Sequence, residues 1–464
     1  MAEAHRTRPR PSPGSMLARL LLLLALSFAL TARPAMAQSI LRDAETESLF
    51  LELSKPLIEA AGLRPENVEV VLIHDRSINA FVVGGQKVYL HSGLIASAEN
   101  VNEVQGVVAH ELGHITGGHV IRLQEGAKVA TSIMLLSMLL GAAAMAAGAG
   151  DAGAGIMAAG QQAALGKFLA FTRTQESSAD QAGAAMLVKA GLSGKGSLAF
   201  FKRLQNQEFR YAIPQEDSYA RTHPLSGERI AALEDVYVKD PAWEKKPDPA
   251  LEARFQRVKA KLAGFVEKPE RTMVLYPESK KTVPARYARA YAWHKSAHPE
   301  RALDEANALL AAAPQDPYFL ELKGQILLES GRPLEAVEPL RQAVARAPEE
   351  PLIAALFGHA LISTEKKDNF EEAKKVLRSA ISRDNDNPFA WYQLGIVYDR
   401  EGDPGRASLA TAERYNLEGQ AQLALANAEQ ALHAIPAGSS DWLRAQDIAM
   451  VSRTEVARQK KQRK

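Results

Sequence analysis

The 464-residue chain contains no cysteine. That absence excludes disulfides, thiolate metal ligands, a cysteine nucleophile and lipidation at an N-terminal cysteine. An exported protein without cysteine fits a bacterial periplasm better than an animal extracellular space. Glycine and proline are not in excess either, at 31 and 24 residues, which argues against wholesale disorder. Nor does either charge dominate. Setting aside residues 1–37, with their five arginines and Glu3, leaves 51 basic and 53 acidic residues, net −2. That balance gives no argument for a nucleic-acid partner, and none is expected. The basic tail from Arg458 to Lys464 could touch a polyanion or simply suit the negative end of a helix dipole.

What is present first is a leader. Arg6, Arg8, Arg10 and Arg19 form a positive region, Leu20 to Leu30 a short apolar run, and Ala35-Met36-Ala37 a small-residue cleavage site. Residues 1–37 therefore read as a secretory signal peptide cleaved after Ala37, too short in its apolar run to span a bilayer. Translation could start at Met1 or Met16. A mature chain beginning at Gln38 would be exported.

Beyond the leader, Ile40 to Ala61 has the period of an amphipathic helix ending near Gly62. Val68 to Asp75 is β-branched and reads as a strand, and Lys87 to His91 as another, with Gly84-Gly85 as a turn between them. From Asn102 the pattern is helical. Val129 to Gly150 then carries no formal charge, nor does Ala152 to Gly166. Twenty-two residues can cross a bilayer, but alanine and glycine contribute little to transfer, so residues 127–166 read either as a span or as an apolar insert, a packed hairpin or lid. A hairpin of that composition could contact membrane peripherally or hold a hydrophobic client.

The stretch Lys239 to Glu252, "KDPAWEKKPDPALE", reads as a linker. After it the chain repeats. Ala302, Ala336, Ala373 and Ala407 stand 34, 37 and 34 residues apart, and Gly324, Gly358 and Gly395 stand 34 and 37 apart, with an insertion near Lys366-Lys367-Asp368. Trp391, Leu394-Gly395, Tyr398 and Ala407 mark the fullest copy. A 34-residue period means tetratricopeptide repeats, helix pairs that stack into a solenoid around small residues. Such a superhelix usually offers a concave groove to a peptide or protein.

The chemistry lies in "VVAHELGHITGGH", Val107 to His119. His110 and His114 are four apart and share one helix face, so both imidazoles can reach one ion. Glu111 is about 100° round from His110 and leans over the same point. Two imidazoles and a carboxylate suit zinc, with water at the fourth position, and Glu111 would move that water's proton. Val104, Val108, Leu112 and Ile115 form a separate burying stripe, Gly113 permits close approach by another element, and Gly117-Gly118 end the helix. The third ligand is expected in "TRTQESSADQAG", beginning a second helix: Glu176 as ligand and Asp180, one turn on, accepting the other ring N–H of a zinc histidine, His110 first. In "THPLSGER", Pro224 at a first helical position leaves His223 at the cap facing outward, either to donate to an oxyanion or to fill zinc's open position at rest. Arg229 is a further candidate for the same charge. His74, His91 and His119 read as structural or exposed.

The set HELGH, ESSAD, THP and "NAFVVGG" resembles the HtpX-like, prenyl-protease-type zinc metallopeptidases. The resemblance implies His110, His114 and Glu176 as ligands of one zinc ion per chain, Glu111 as catalytic base, Asp180 behind the ligands and His223 as a catalytic accessory. It implies that Asn79-Ala80-Phe81 lies on an edge strand that binds substrate as an added strand. Taken with the leader and the repeats, it implies a periplasmic endopeptidase acting on misassembled outer-membrane proteins. A chaperone-like role would follow, with the repeats contacting the barrel-assembly machinery. The alternative is a repeat-based scaffold with a latent peptidase site. The expected architecture is α+β, mainly α: a metallopeptidase domain with a small sheet at 38–262, then an α-solenoid at 263–464.

Overall fold

A computed structural model describes residues 39–147, 149–211, 223–224 and 226–462. The expected leader and its cleavage site after Ala37 lie outside the described residues. From Ile40 onward the described chain forms one compact unit. It is mainly α-helical with one small sheet, as the patterning predicts.

Four short strands make the sheet: β1 (Ile40–Leu41), β2 (Glu69–Ile73), β3 (Ala80–Val82) and β4 (Lys87–His91). Their order is β1-β2-β4-β3, with β2 and β4 parallel and the outer pairs antiparallel. Gly84 and Gly85, at φ +48° and +72°, turn the chain between β3 and β4. This geometry excludes most residues but suits glycine. The expected helix over Ile40 to Ala61 is shorter than its pattern. Ile40 and Leu41 pair with Ile73 and Leu72, and Asp43, extended at φ −154°, caps helix α1 (Ala44–Ala60) by accepting the Thr46 N–H at 2.8 Å. An apolar pair can serve either period, and a strand distant in sequence decides which.

Under the sheet lies α3 (Val101–Thr116), which follows a short α2 (Ser92–Ser97) and is capped by Asn100. Every residue from Val101 to His114 is buried. Two long helices follow, α4 (His119–Ala146) and α5 (Gly150–Lys189), packed antiparallel as a hairpin. The apolar insert expected at 127–166 forms its outer part. Next come α6 (Lys195–Tyr211), α7 (Gly227–Tyr237) and α8 (Pro249–Val266). The proline-rich stretch between α7 and α8 is not a free linker. Ser193 Oγ donates to the Trp243 carbonyl at 2.7 Å and Lys245 Nζ to that of Gly191 at 2.7 Å, strapping it to the preceding helices. Phe255, Val258 and Leu262 of α8 join the same hydrophobic core as α3, so the expected boundary at 262/263 falls within a helix.

After α9 (Pro269–Leu275) the repeats run as antiparallel pairs: α10 (Val283–Lys295) with α11 (Pro299–Ala312), α12 (Pro317–Glu329) with α13 (Pro333–Arg346), α14 (Pro351–Ser363) with α15 (Lys367–Arg383), and α16 (Pro388–Arg400) with α17 (Pro404–Leu417). Two more helices, α18 (Ala421–Ala434) and α19 (Ser440–Gln462), end the described chain. The period's small residues sit where helices touch. A Cβ on Gly324 would meet Leu340 Cγ at 2.4 Å, and one on Gly358 would meet Leu377 Cγ at 2.6 Å. Ala302, Ala336 and Ala373 are fully buried. The insertion near Lys366 lengthens α15, which begins after Glu365.

A buried ionic network ties the sheet end to the repeats. Glu45 pairs with Arg257 and accepts the Tyr287 hydroxyl at 2.7 Å, Arg257 reaches Asp316 at 2.6 Å, and Lys261 pairs with Asp43. Attraction to Asp43 overrides the burial that lowers the Lys261 pKa, so it is raised and the cation keeps its charge. Removing one partner would strand a buried charge, at about 3–5 kcal/mol.

Interhelical turns in the repeats need a left-handed residue. Gly331 and Gly402 supply it at φ +76°, whereas Ala297 and Glu365 adopt φ +58° and +55° with a side chain. Ala297→Gly and Glu365→Gly are therefore expected to raise the melting temperature, each stabilising by up to about 1 kcal/mol, while Gly331→Ala lowers it. Thermal denaturation of the three variants checks the sign.

Candidate metal centre

The site exists because α3 and α5 cross almost backbone to backbone. A Cβ on Gly113 would lie 2.5 Å from the Ala179 carbonyl oxygen, and one on Gly183 would lie 3.0 Å from the Ala109 carbonyl. With Gly113 facing Ala179 and Gly183 facing Ala109, nothing larger fits. At that closeness Glu176 and Asp180, one turn apart on α5, stand opposite His110 and His114 on α3. The acidic pair does not begin a helix, as its local sequence suggests. It lies well inside the 40-residue α5.

Four donor groups converge. His110 Nε2 is 3.1 Å from His114 Nε2 and 3.2 Å from His223 Nδ1. Glu176 Oε2 is 3.4 Å from His110 Nε2, Glu176 Oε1 is 3.4 Å from His114 Nε2, and His223 Nδ1 lies 3.1 Å from Glu176 Oε2. All four side chains are buried, and their donor atoms lie within 4.8 Å of one another. Ligand atoms of a tetrahedral ion with bonds of about 2.0–2.1 Å stand about 3.3–3.4 Å apart, which matches these separations. The residues fit a divalent metal ion.

Charge agrees with that fit. Burial would raise the Glu176 pKa, but hydrogen bonds from His110, His114 and His223 hold it far below the carboxylate range. Asp180 is likewise pushed up by burial and pulled further down by Arg229 and His110. Both are anions at neutral pH. Arg229 balances one of them, with Nε 2.6 Å and Nη2 2.8 Å from the Asp180 oxygens and Nη1 3.1 Å from Glu176 Oε2. The remaining negative charge faces the imidazoles. Without an ion, His110 itself answers it: burial lowers its pKa, but Asp180 and Glu176 outweigh burial and lift it to about 10. Asp180 Oδ1 lies 2.9 Å from His110 Nδ1, leaving His110 Nε2 toward the other donors.

Glu111 is fully buried, and neither carboxylate oxygen has a hydrogen-bond partner among the described residues. His223 Nε2 lies 3.5 Å from Glu111 Oε1. A buried carboxylate left open on the metal side is placed to take a proton from water. His223 itself departs from its expected setting. It is buried rather than facing outward, and the cap of α7 is Ser226, which accepts the Arg229 N–H at 3.2 Å. The Arg229 guanidinium, considered for a developing oxyanion, is turned to Asp180, Glu176 and the Pro224 carbonyl, the last at 2.6 Å. Asn79, Ala80 and Phe81 enter and form β3, the outermost strand at its side of the sheet, packed on α3. Phe81 stacks on Tyr89 with ring centroids 5.2 Å apart. His91 is a buried structural residue beside Ser77, and His74 is exposed.

One contact escapes a reading of the sequence. His119 is buried, and its Nδ1 lies 2.9 Å from His114 Nδ1. Burial and the neighbouring His114 lower its pKa to about 4, so it is neutral and can accept the His114 N–H, leaving His114 Nε2 to face the other donors. The signal was the glycine pair. Gly118 at φ +64° reverses the chain, and a Cβ on Gly117 would lie 2.2 Å from the His119 ring.

Residues 41–237 match peptidase family M48. That segment, less than half of the chain, is similar to the M48 metallopeptidases. The beta-barrel assembly-enhancing proteases of Yersinia pestis and Escherichia coli (strain K12) are each 27% identical over 266 residues, covering 55% of this chain and 52% of the relative. The chain thus spans about half the length of these curated relatives. Among solved structures, the tetratricopeptide-repeat protein YrrB aligns over 38% of this chain and 91% of its own, at 19% identity and a TM-score of 0.31.

If Asp180 and His119 orient His110 and His114, His119→Ala and Asp180→Ala should each weaken metal binding about ten- to hundredfold. Competition with a chromogenic chelator reads this directly. Unchanged affinity in both would make the two contacts merely structural.

Proposed function

We propose that the protein is a zinc-dependent endopeptidase of the bacterial periplasm. Its substrates are misassembled outer-membrane proteins, and it has a chaperone-like part in β-barrel assembly. The convergence of His110, His114, Glu176 and His223 beside the open carboxylate of Glu111 carries this reading. The relatives named as proteases that enhance barrel assembly support the substrate class.

His110, His114 and Glu176 would hold the zinc ion, which would supply Lewis acidity near neutral pH. Glu111 takes a water proton and returns it to the leaving amine. Arg229 and Asp180 hold Glu176 and His110 in place. Substrate lies as an extended strand along β3, from Asn79 to Phe81, recognised through its backbone. That mode tolerates varied side chains, as a protease of unfolded barrel strands requires. We assign peptidase chemistry to the domain that ends with α8, and engagement of clients or the barrel-assembly machinery to the repeat arm from α10 onward.

His223 gives a second reading its support. With Nδ1 at 3.2 Å from His110 Nε2, it occupies the place of a fourth donor. The chain would then act chiefly as a repeat-based scaffold whose peptidase is latent until His223 withdraws.

Glu111→Gln is expected to retain its metal yet cleave a denatured outer-membrane barrel protein at least about a hundredfold more slowly. Equal cleavage by the two proteins contradicts the peptidase mechanism. Full rescue of a deletion strain by Glu111→Gln, but not by removal of the repeats, favours the scaffold.

A further inference from the structure

The α4–α5 hairpin exposes what a soluble helix pair normally hides. Helix α4 is 28 residues long, long and apolar enough to cross a membrane, with only 11% of its most apolar window buried. Met134, Leu135, Leu136, Met138, Leu139 and Leu140 are all exposed, Leu136 at 58% and Leu139 at 70%. Only Ser137 in that run turns inward, onto Gly160. Apolar residues therefore surround the helix instead of forming one stripe. A helix that lies on a surface has a polar face; one that is apolar all round is built for a non-aqueous setting.

The polar groups are arranged for the same solvent. Thr131 Oγ1 donates to the Ala127 carbonyl at 2.8 Å, Ser132 Oγ to that of Lys128 at 2.9 Å, and Ser137 Oγ to that of Met134 at 2.8 Å. Hydroxyls satisfied within their own helix need no water. Gln161 and Gln162 are the exposed amides of the outer hairpin.

Charge marks a depth. The register is set by Gly126 against Phe171 and Ser137 against Gly160. It places Lys128 on α4 and Lys167 on α5 at nearly one level, with Arg122 and Arg173 together nearer the metal centre. All four are exposed, and Glu125 is the one acidic residue exposed among them. Beyond Lys128, α4 runs uncharged from Val129 to Ala146, about 27 Å at 1.5 Å per residue. The hydrocarbon core of a bilayer is about 30 Å thick. Asp151 near the hairpin tip would thus reach the far headgroups.

We propose that the α4–α5 hairpin inserts into a lipid bilayer with anionic headgroups, its basic collar of Arg122, Lys128, Lys167 and Arg173 lying at the surface. From Lys167 to Glu176 is nine residues along α5, on the order of 13 Å, so the metal centre stands just above the headgroups. Insertion does not depend on the peptidase reading. It would place the site where a chain stalled at the membrane surface is within reach.

The test is flotation of protein starting at Gln38, which removes the apolar leader, with phosphatidylcholine vesicles made with and without phosphatidylglycerol. The protein should float with both and more strongly with phosphatidylglycerol. The double variant Leu136→Asp, Leu139→Asp should lose flotation about tenfold or more while keeping its metal content and melting temperature. Lys128→Glu with Lys167→Glu should abolish only the preference for phosphatidylglycerol. Protein that stays at the bottom with both vesicles overturns the proposal, as does a double variant that floats like wild type. Two further results would also overturn it in the absence of flotation. One is a dimer, seen by light scattering, that the aspartates break into monomers, which would make the face a contact between copies. The other is loss of unfolded-polypeptide binding in the double variant, which would make it a client surface.

Discussion

The active region depends on one steric fact: α3 and α5 approach so closely that each needs glycine where the other presses. Gly113 against Ala179 and Gly183 against Ala109 set the separation, and separation sets reach. A glutamate side chain on one helix can meet imidazoles on another only when the axes are this near. The crossing is buried on all sides of α3, from Val101 to His114, so it is held by the whole core of the domain and not by the site's own polar contacts. That order matters, because the polar contacts alone are costly. Two buried carboxylates and a third beside them would repel one another and resist desolvation.

Their compensation is graded. Arg229 is permanently charged and bidentate to Asp180, so it neutralises the carboxylate farthest from the metal position. His110, His114 and His223 face Glu176, where a divalent ion and protons compete for the same electron pairs. His119 stands behind His114 as Asp180 stands behind His110, so both histidines of the HExxH helix have their outward nitrogen set by a partner. Arg229 lies on the first turn of α7, just after the segment that carries His223. A movement of that segment would change the fourth donor position and leave the Asp180–His110 pair in place.

Much of this could be read from the chain itself, and for identifiable reasons. His110, Glu111 and His114 lie within one helical turn, where spacing alone fixes geometry. Glu176 and Asp180 were legible because the chemistry of zinc demands another carboxylate, even though their local pattern suggests a solvated helix face. The 34-residue period was legible because each copy repeats the same contact, Gly324 on Leu340 and Gly358 on Leu377. What failed to show was whatever depended on a distant partner. Ile40 and Leu41 became a strand because β2 was available. "KDPAWEKKPDPALE" has a linker's composition, but the Gly191 carbonyl and Ser193 fasten it down. His119 looked peripheral because the break at Gly117-Gly118 ends the helical register, and only a left-handed turn shows where the next ring points.

The central claim is that His110, His114 and Glu176 hold one divalent ion. X-ray absorption at the zinc edge of the purified, zinc-loaded protein tests it most directly. The account predicts one ion per chain in a four-coordinate shell of nitrogen and oxygen at about 2.0–2.1 Å, with imidazole scattering that falls in His114→Ala. A six-coordinate shell of oxygen alone, or scattering unchanged in His114→Ala, would contradict it.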